Sequence, residues 1–207
     1  MRGIDMEPMS QSSSSDYPLT LELRADETVA RWRPFFNWVP AIPHFIVLYA
    51  LSAVSGVLAF LSFFTVLFTR RVPVSFYQFQ AMALRYGSRV STYAFGLTGQ
   101  YPPFSFDMVG EDPGDYPPVG VSGREPGEMN RWLVFVKWLL LIPMFFVLIF
   151  WEIAATIGWF INAFGVLFTG RTSDTAARWY GSFLRVQYRI SWYGYFLTDE
   201  YPPFSGS

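Results

Sequence analysis

Two long stretches of the chain carry almost no charge, and they determine the class of protein. Thirty-six uncharged residues separate Arg33 from Arg70, and 33 residues separate Lys137 from Arg171, interrupted only by Glu152. A helix that crosses the hydrocarbon core of a bilayer needs about 20 mostly apolar residues. Neither stretch shows the regular polar face of a surface helix. We therefore interpret the chain as an integral membrane protein and not as a soluble protein with two buried helices.

The chain also repeats itself at an offset of 100 residues. An Arg-Trp pair, an Ile-Pro pair, a Val-Leu-Phe-Thr run and a closing Tyr-Pro-Pro-Phe-Ser each recur without a gap, at 31–32 and 131–132, 42–43 and 142–143, 66–69 and 166–169, and 101–105 and 201–205. One ungapped register over so many positions indicates a tandem duplication. The predicted organisation is a disordered polar tail (1–16), a first repeat (17–105), a Pro/Gly/acidic linker (106–116) and a second repeat (117–207).

The length of each apolar stretch favours a helical hairpin over a single helix. One helix of 36 residues would be about 54 Å long, against about 30 Å for the hydrocarbon core. A turn at 52–56, and at Glu152 in the second copy, would divide each stretch into two short helices. It would also spare the carboxylate a cost of roughly 3 kcal/mol in lipid. Basic residues flank both ends of each stretch, and a hairpin keeps them all on the cytoplasmic side.

The segment after each stretch alternates arginine and aromatic residues at helical spacing. Arg178, Arg185 and Arg189 share one face in the second copy, and Arg85 and Arg89 share one in the first. Such a helix is typical of the headgroup region, where arginine binds the phosphate of anionic lipids. An alternative stays open, in which these arginines bind carboxylates or helix ends inside the protein.

The predicted fold class is therefore an all-α membrane protein of two tandem repeats. Each repeat has a short transmembrane helical hairpin followed by an interfacial amphipathic helix. The alternation in YPLTLELRADE, and more weakly in YPPVGVSGREP, allows a short β-strand before each hairpin.

Aromatic residues near the ends of these helices are expected to anchor the protein at the bilayer surface. The predicted anchors are Trp32, Trp38, Trp132, Trp138, Tyr93 and Tyr193. The proline-rich closures should be extended, because proline restricts itself and the residue before it. We expect each closure to dock on its own copy through Tyr101, Pro102, Pro103 and Phe104, or Tyr201, Pro202, Pro203 and Phe204.

Composition narrows the chemistry further. Only 15% of the residues are charged, against roughly 25% in a typical soluble domain. The net charge of −1 argues against nucleic-acid binding, and the absence of cysteine excludes disulfides and thiolate chemistry. His44 is the only histidine; we interpret it as an imidazole bonded to a neighbour, and Glu152 as a loop residue. We predict no catalytic residue, no cofactor and no metal site, and hence no enzyme.

The elements IPHFIVLY, VLFTRR or VLFTGR, and the closure LTDEYPPFS resemble a bacterial membrane family known as domain of unknown function 4389. The resemblance covers nearly the whole chain as a tandem pair. Two departures are LTGQYPPFS in the first copy and Met144 in place of the histidine in the second. The resemblance implies an integral membrane protein and carries no activity or ligand. With the hairpin topology, we expect a multi-pass protein of the bacterial plasma membrane with both termini cytoplasmic.

The expected function is a non-enzymatic assembly or scaffold module in contact with the lipid bilayer. Small residues that would let helices approach closely favour a homo-oligomer or a subunit of a membrane complex, and they are Ser52, Ser55, Gly56, Gly158 and Gly165. The main alternative is a membrane-shaping protein that acts as a reticulon-like wedge. A small transporter or channel is less favoured, because the apolar stretches hold almost no polar residue to line a path. An unrecognised enzyme is the least favoured.

Overall fold

The computed structural model describes residues 17–206 and forms a mostly helical structure with a two-stranded sheet. The first copy contains β1 (Leu19–Leu23), α1 (Arg33–Phe36), α2 (Ile42–Thr69) and α3 (Val74–Phe95). The second contains β2 (Val119–Gly123), a 3₁₀ turn (Leu133–Phe135), α4 (Lys137–Leu140), α5 (Ile142–Thr169) and α6 (Asp174–Gly194). The tail at 1–16, expected to be disordered, lies outside the described residues.

Each apolar stretch forms one long helix, so the predicted hairpin within it is wrong. Both α2 and α5 have 28 residues, which corresponds to about 42 Å. The segment 52–56 and Glu152, where we expected turns, are helical. Serine, glycine and glutamate cost an α-helix at most about 1 kcal/mol each in propensity. That is too little to break a helix whose flanking residues all favour it.

A helical hairpin is nevertheless present, and it is formed by the long helix with the amphipathic helix that follows. Helix α2 runs antiparallel to α3, since His44 contacts Tyr86 and the Ser55 carbonyl accepts a hydrogen bond from Gln80. In the second copy, the Ser173 N–H donates to Asn162 at 3.1 Å, close to the turn between α5 and α6.

The two amphipathic helices pack against each other in the middle of the molecule. The rings of Phe95 and Tyr180 stack with centroids 4.1 Å apart. At the other end of the pair, Tyr77 meets Trp192 edge to face at 5.8 Å. Helices α3 and α6 are therefore antiparallel. Because α2 is antiparallel to α3 and α5 is antiparallel to α6, the outer helices α2 and α5 are antiparallel as well.

The two strands relate the copies by an approximate twofold axis. β1 and β2 pair antiparallel with Leu21 opposite Val121. These two residues are equivalent in the repeat, so the axis passes between them. β1 packs on α6 and β2 packs on α3. The strand that begins each copy therefore covers the amphipathic helix of the other copy, and the two copies interlock.

The result is a stack of three layers: the sheet, then α3 with α6, then α2 with α5. On α3, Arg85 and Arg89 face the strand and loop side, whereas Gln80 and Gly87 face α2. Two apolar segments, 42–69 and 137–169, are long and apolar enough to cross a membrane, and only 17% of the most hydrophobic window of each is buried. A core helix of a soluble protein would be mostly buried, so these helices have the exposure expected of a surface covered by lipid.

The copies differ in how closely the outer helix approaches the amphipathic helix. A Cβ built on Gly158 of α5 would lie 3.3 Å from the backbone of Ala176 in α6. The equivalent positions in the first copy hold Leu58 and Phe76. These larger side chains hold α2 further from α3, and α5 accordingly packs more extensively on α6 than α2 does on α3.

We expect Gly158→Leu, which copies the first repeat, to destabilise the protein by about 1–3 kcal/mol because it overpacks a backbone contact. Thermal unfolding of the purified protein in detergent measures this as a lower midpoint. Gly56→Ala is the matched control, because a Cβ on Gly56 meets nothing within 4 Å. The control should be neutral or slightly stabilising; equal midpoints for both variants would contradict the packing argument.

Candidate membrane-facing surface

The outer faces of α2 and α5 form a surface of large apolar side chains. Its members are exposed aromatic and aliphatic residues repeated along both helices: Phe45, Ile46, Tyr49, Val57, Phe60, Phe64 and Phe68, and Phe145, Phe146, Ile149, Phe150, Ile153, Phe160, Phe164 and Phe168. Soluble monomers rarely expose contiguous apolar patches beyond a few hundred Å². We call this set the outer apolar surface; its chemistry suits a hydrocarbon environment.

Four of the six predicted aromatic anchors are exposed and two are buried. Trp32, Trp38, Trp132 and Trp138 are all more than half exposed, in the segments that lead into α2 and α5. The anchor prediction is wrong for Tyr93 and Tyr193, which are 3% and 1% exposed. They sit on the inner faces of α3 and α6, where neighbouring helices cover their rings.

Most of the predicted lipid-binding arginines are also internal. Arg85, Arg89 and Arg189 are no more than 3% exposed, so the prediction of headgroup contact is wrong for them. Arg85 donates from Nε to the Val121 carbonyl at 3.3 Å, and its equivalent Arg185 donates from Nε to the Leu21 carbonyl at 3.3 Å. Each arginine thus binds the centre of the strand that belongs to the other copy.

Other hydrogen bonds of these arginines reach the end of a closure or the chain that follows it. In the first copy, Arg85 Nη2 donates to the carbonyls of residues 109, 110 and 111. In the second copy, Arg185 donates to Gly206 and Arg189 donates to Ser205. Arg178 is different, since it is exposed and binds Thr175 on its own helix. The alternative that sequence reasoning left open, binding of carboxylates inside the protein, describes Arg85 and Arg89. Arg185 and Arg189 are also bound inside the protein, and they donate to backbone carbonyls of a strand, of the second closure and of the residue that follows it.

In the first copy, carboxylates join this network. Arg89 donates to Asp115 with Nη1 at 3.0 Å from Oδ2, and Arg85 lies 3.4 Å from Asp112. Asp112 also accepts from the Val121 N–H at 2.8 Å. The hydrogen bond from Arg89 lowers the pKa of Asp115, and burial lowers the pKa of Arg85. The predicted linker is largely exposed, but these two aspartates fasten it to α3.

Each closure docks on the segment that comes just before the long helix of its own copy. The Tyr101 hydroxyl donates to the Pro40 carbonyl at 3.0 Å, and the Tyr201 hydroxyl donates to the Leu140 carbonyl at 2.9 Å. Pro102 is buried, and so is its equivalent in the second copy, whereas Pro103 and Pro203 are half-buried and Phe104 and Phe204 are exposed. The closures therefore tie the end of each amphipathic helix to the beginning of the long helix beside it.

His44 is fully buried beneath the first closure. Its Nδ1 lies 2.6 Å from the Tyr86 hydroxyl, and its ring stacks on Phe104 at 4.1 Å. The second copy places Met144 and Val186, both fully buried, at the equivalent positions. An apolar pair thus occupies the same space, which agrees with a packing role for the histidine.

Glu152 has a different position from the one expected. It lies within α5 and is exposed, among the apolar side chains of that helix. A single carboxylate surrounded by Ile149, Phe150 and Ile153 would be costly at the centre of a bilayer.

Sequence reasoning missed one equivalent pair of polar residues. Asn37 donates to the Tyr93 carbonyl at 2.8 Å, and Lys137 donates to the Thr198 carbonyl while pairing with Asp199 at 2.9 Å. Both donors are buried. Asn37 binds a carbonyl in the last turn of α3, and Lys137 binds a carbonyl in the loop that follows α6. This pair could have been found from the sequence, because Asn37 and Lys137 are polar residues at the same position of the repeat, at the edge of each apolar stretch.

Within residues 17–206, no group of three or more His, Asp or Glu side chains is placed to hold a metal ion. A family described as a domain of unknown function (DUF4389) matches the chain twice, at residues 31–105 and 131–206. No curated protein and no solved structure matches the chain.

We expect Asp115→Asn to destabilise the protein at pH 7 by about 1 kcal/mol, a value discounted because the Asp115 side chain is 37% exposed. Since the pKa of Asp115 is lowered in the folded state, the stabilisation is complete above about pH 4 and is lost as the pH falls further. Unfolding in detergent, measured for both proteins from pH 7 down to about pH 2, should show the difference shrink in acid.

The control for this experiment is Glu22→Gln. Glu22 pairs with Arg24, but both side chains are more than 70% exposed, so its loss should change little. A difference between wild type and Asp115→Asn that stays constant with pH would contradict the proposed ion pair.

Proposed function

Because the chain belongs to this family of unknown function and carries its domain twice, we propose that it is a non-enzymatic membrane protein that inserts into one face of a bilayer. The outer apolar surface of α2 and α5 would lie among the acyl chains. The sheet and its loops would stay in water. In this arrangement both long helices lie along the membrane, and the twofold axis stands perpendicular to it.

The observation that supports one-sided insertion is the pairing of β1 with β2. β1 precedes α2 in the chain and β2 follows it, yet the two strands form one sheet. A helix α2 that crossed the bilayer alone would put these strands on opposite sides, unless α3 crossed back beside it. α3 is poorly suited to return through lipid, because Arg85 and Arg89 fix its middle to the polar strand and loop layer.

Two further features support a shallow position. Glu152 can reach the headgroup region from a helix that lies along the surface, whereas a perpendicular helix would hold it in hydrocarbon. The exposed tryptophans that precede α2 and α5 suit the level of the headgroups. Exposed arginines at the helix ends suit anionic lipid on the cytoplasmic face, and they are Arg31, Arg70, Arg71, Arg131 and Arg171.

One-sided insertion favours a membrane-shaping role. Two helices about 42 Å long and about 10 Å wide would add about 800 Å² to one leaflet and nothing to the other. Such an imbalance bends a bilayer toward the opposite leaflet. The proposal therefore combines a membrane-embedded fold with the wedge mechanism.

A scaffold that works by self-association is the second candidate. It is favoured by an apolar groove of about 430 Å³ on the flank of α2, between Ala59 and Phe63 on one side and Trp138 and Phe196 on the other. An apolar side chain from another protein would fill this groove well.

Single-cysteine variants test the topology, since the natural chain has no cysteine. We expect Thr20→Cys and Glu125→Cys, which lie before and after α2, to react with a membrane-impermeant maleimide from the same side of sealed vesicles. Val54→Cys and Ala154→Cys, within the long helices, should be protected from both sides. Reaction of the first two variants from opposite sides would contradict one-sided insertion.

Membrane shaping is tested by reconstitution into vesicles of phosphatidylcholine with phosphatidylglycerol. We expect cryo-electron microscopy to show narrow tubes as the protein-to-lipid ratio rises. The double variant Phe60→Glu with Phe160→Glu should abolish both insertion and tubulation, because each charge costs about 3 kcal/mol in lipid.

Glu22→Gln on the outer face of the sheet is the control and should behave as wild type. Vesicles that stay round at high loading, together with an oligomeric mass in detergent, would favour the scaffold over the wedge.

A further inference from the structure

A cavity of about 460 Å³ lies between α2 and α3 of the first copy and α6 of the second. Phe45, Leu48 and Leu51 of α2 and Leu84 of α3 give it an apolar wall. Its volume falls within the range of roughly 300–1,000 Å³ that is usual for small-molecule sites. Phe45 and Tyr49 line the cavity and are also exposed on the outer apolar surface, so the cavity borders the surface that we propose to lie in lipid.

The floor of this cavity is polar and uncharged. Ser91 of α3 and Ser191 of α6 donate their hydroxyls to backbone carbonyls on their own helices, and a serine oxygen that donates can also accept. Gln187 lies one turn before Ser191 in α6, and its side-chain amide offers both a donor and an acceptor. Ser52 of α2 adds another hydroxyl at the rim. No charged side chain lines the cavity.

The comparison of the two copies shows that this space is not required by the fold. The second copy has Trp151 where the first has Leu51, and Phe183 where the first has Ala83. Trp151 packs against the core formed by α5 and α6. The same architecture is thus compatible with filled positions, and the first copy keeps them small.

We propose that this cavity binds one membrane lipid with an uncharged, hydroxyl-bearing headgroup. The proposal rests on the proposed insertion into a bilayer, because polar groups beside lipid are costly unless a partner covers them. The acyl chain would lie along Leu48, Leu51 and Leu84. The headgroup would bind Gln187 and the serine hydroxyls, and a charged headgroup would be disfavoured because no side chain there balances it.

The test uses a photoactivatable diacylglycerol at low density in phosphatidylcholine vesicles that contain the full chain. A photoactivatable phosphatidic acid with the same acyl chains serves as the charged probe. We expect diacylglycerol to label peptides from 45–55 and 187–195 preferentially, and phosphatidic acid to label them less.

Two kinds of variant examine the site directly. Leu51→Trp with Ala83→Phe, which copies the second repeat, should lower labelling by about tenfold or more by filling the space. Gln187→Leu should lower diacylglycerol labelling by about fivefold, since it removes hydrogen bonds without filling the cavity. Leu61→Trp is the matched control, because Leu61 is exposed on α2 and lies outside the cavity; its labelling should equal that of wild type.

Flotation of the vesicles separates this inference from the proposed function. Protein that floats but is labelled evenly along α2 and α5, or equally well after the cavity is filled, would overturn the lipid site alone. Equal or stronger labelling by phosphatidic acid would overturn the uncharged headgroup. Wild-type protein that fails to float would overturn insertion and the lipid site together.

Discussion

The pairing of two five-residue strands constrains the rest of the molecule. Because Leu21 lies opposite Val121, its own equivalent in the repeat, the pairing imposes a twofold relation on everything attached to the strands. Arg85 and Arg185 then bind the strand centres from equivalent positions in α3 and α6. The long apolar helices remain on the far side of these amphipathic helices, where only a narrow stripe of each is buried. The polar strand layer and the apolar long helices thus lie on opposite sides of α3 and α6, because the arginines of these helices bind the strands.

Burial of the arginines illustrates how interior charge is satisfied. A guanidinium offers five N–H donors, and backbone carbonyls at the strands and after the closures supply acceptors in number. In the first copy, Asp112 and Asp115 add negative charge. In the second copy, the carbonyls of Ser205 and Gly206 accept hydrogen bonds from Arg189 and Arg185. The arginine positions are the same in both copies, and in both the Nε of the first arginine binds the central strand residue of the other copy.

The repeat, the two long apolar segments, the amphipathic helices and the short strands could all be predicted from local pattern and self-similarity. The hairpin expected within each apolar stretch was wrong, because Gly56 and Glu152 are too weak as helix breakers to end a helix. The length of each stretch had also been compared with a perpendicular crossing of the bilayer. The arginine partners and the buried Tyr93 could not be predicted either, since periodicity gives the face of a helix and not what covers it. The cavity between α2, α3 and α6 could not be predicted, because differences such as Leu51 against Trp151 acquire meaning only when the contacts between the helices are known.

The exchange of strands between copies has a consequence for how such a chain arises. A protein with one copy would present a strand and a helix surface that its own chain leaves uncovered. It would complete the same sheet only by associating with a second molecule, so the tandem chain is in effect a covalent homodimer. Joining the halves makes that association intramolecular and independent of protein concentration. It also frees the halves to diverge, so that one can keep Ala83 while the other acquires Phe183.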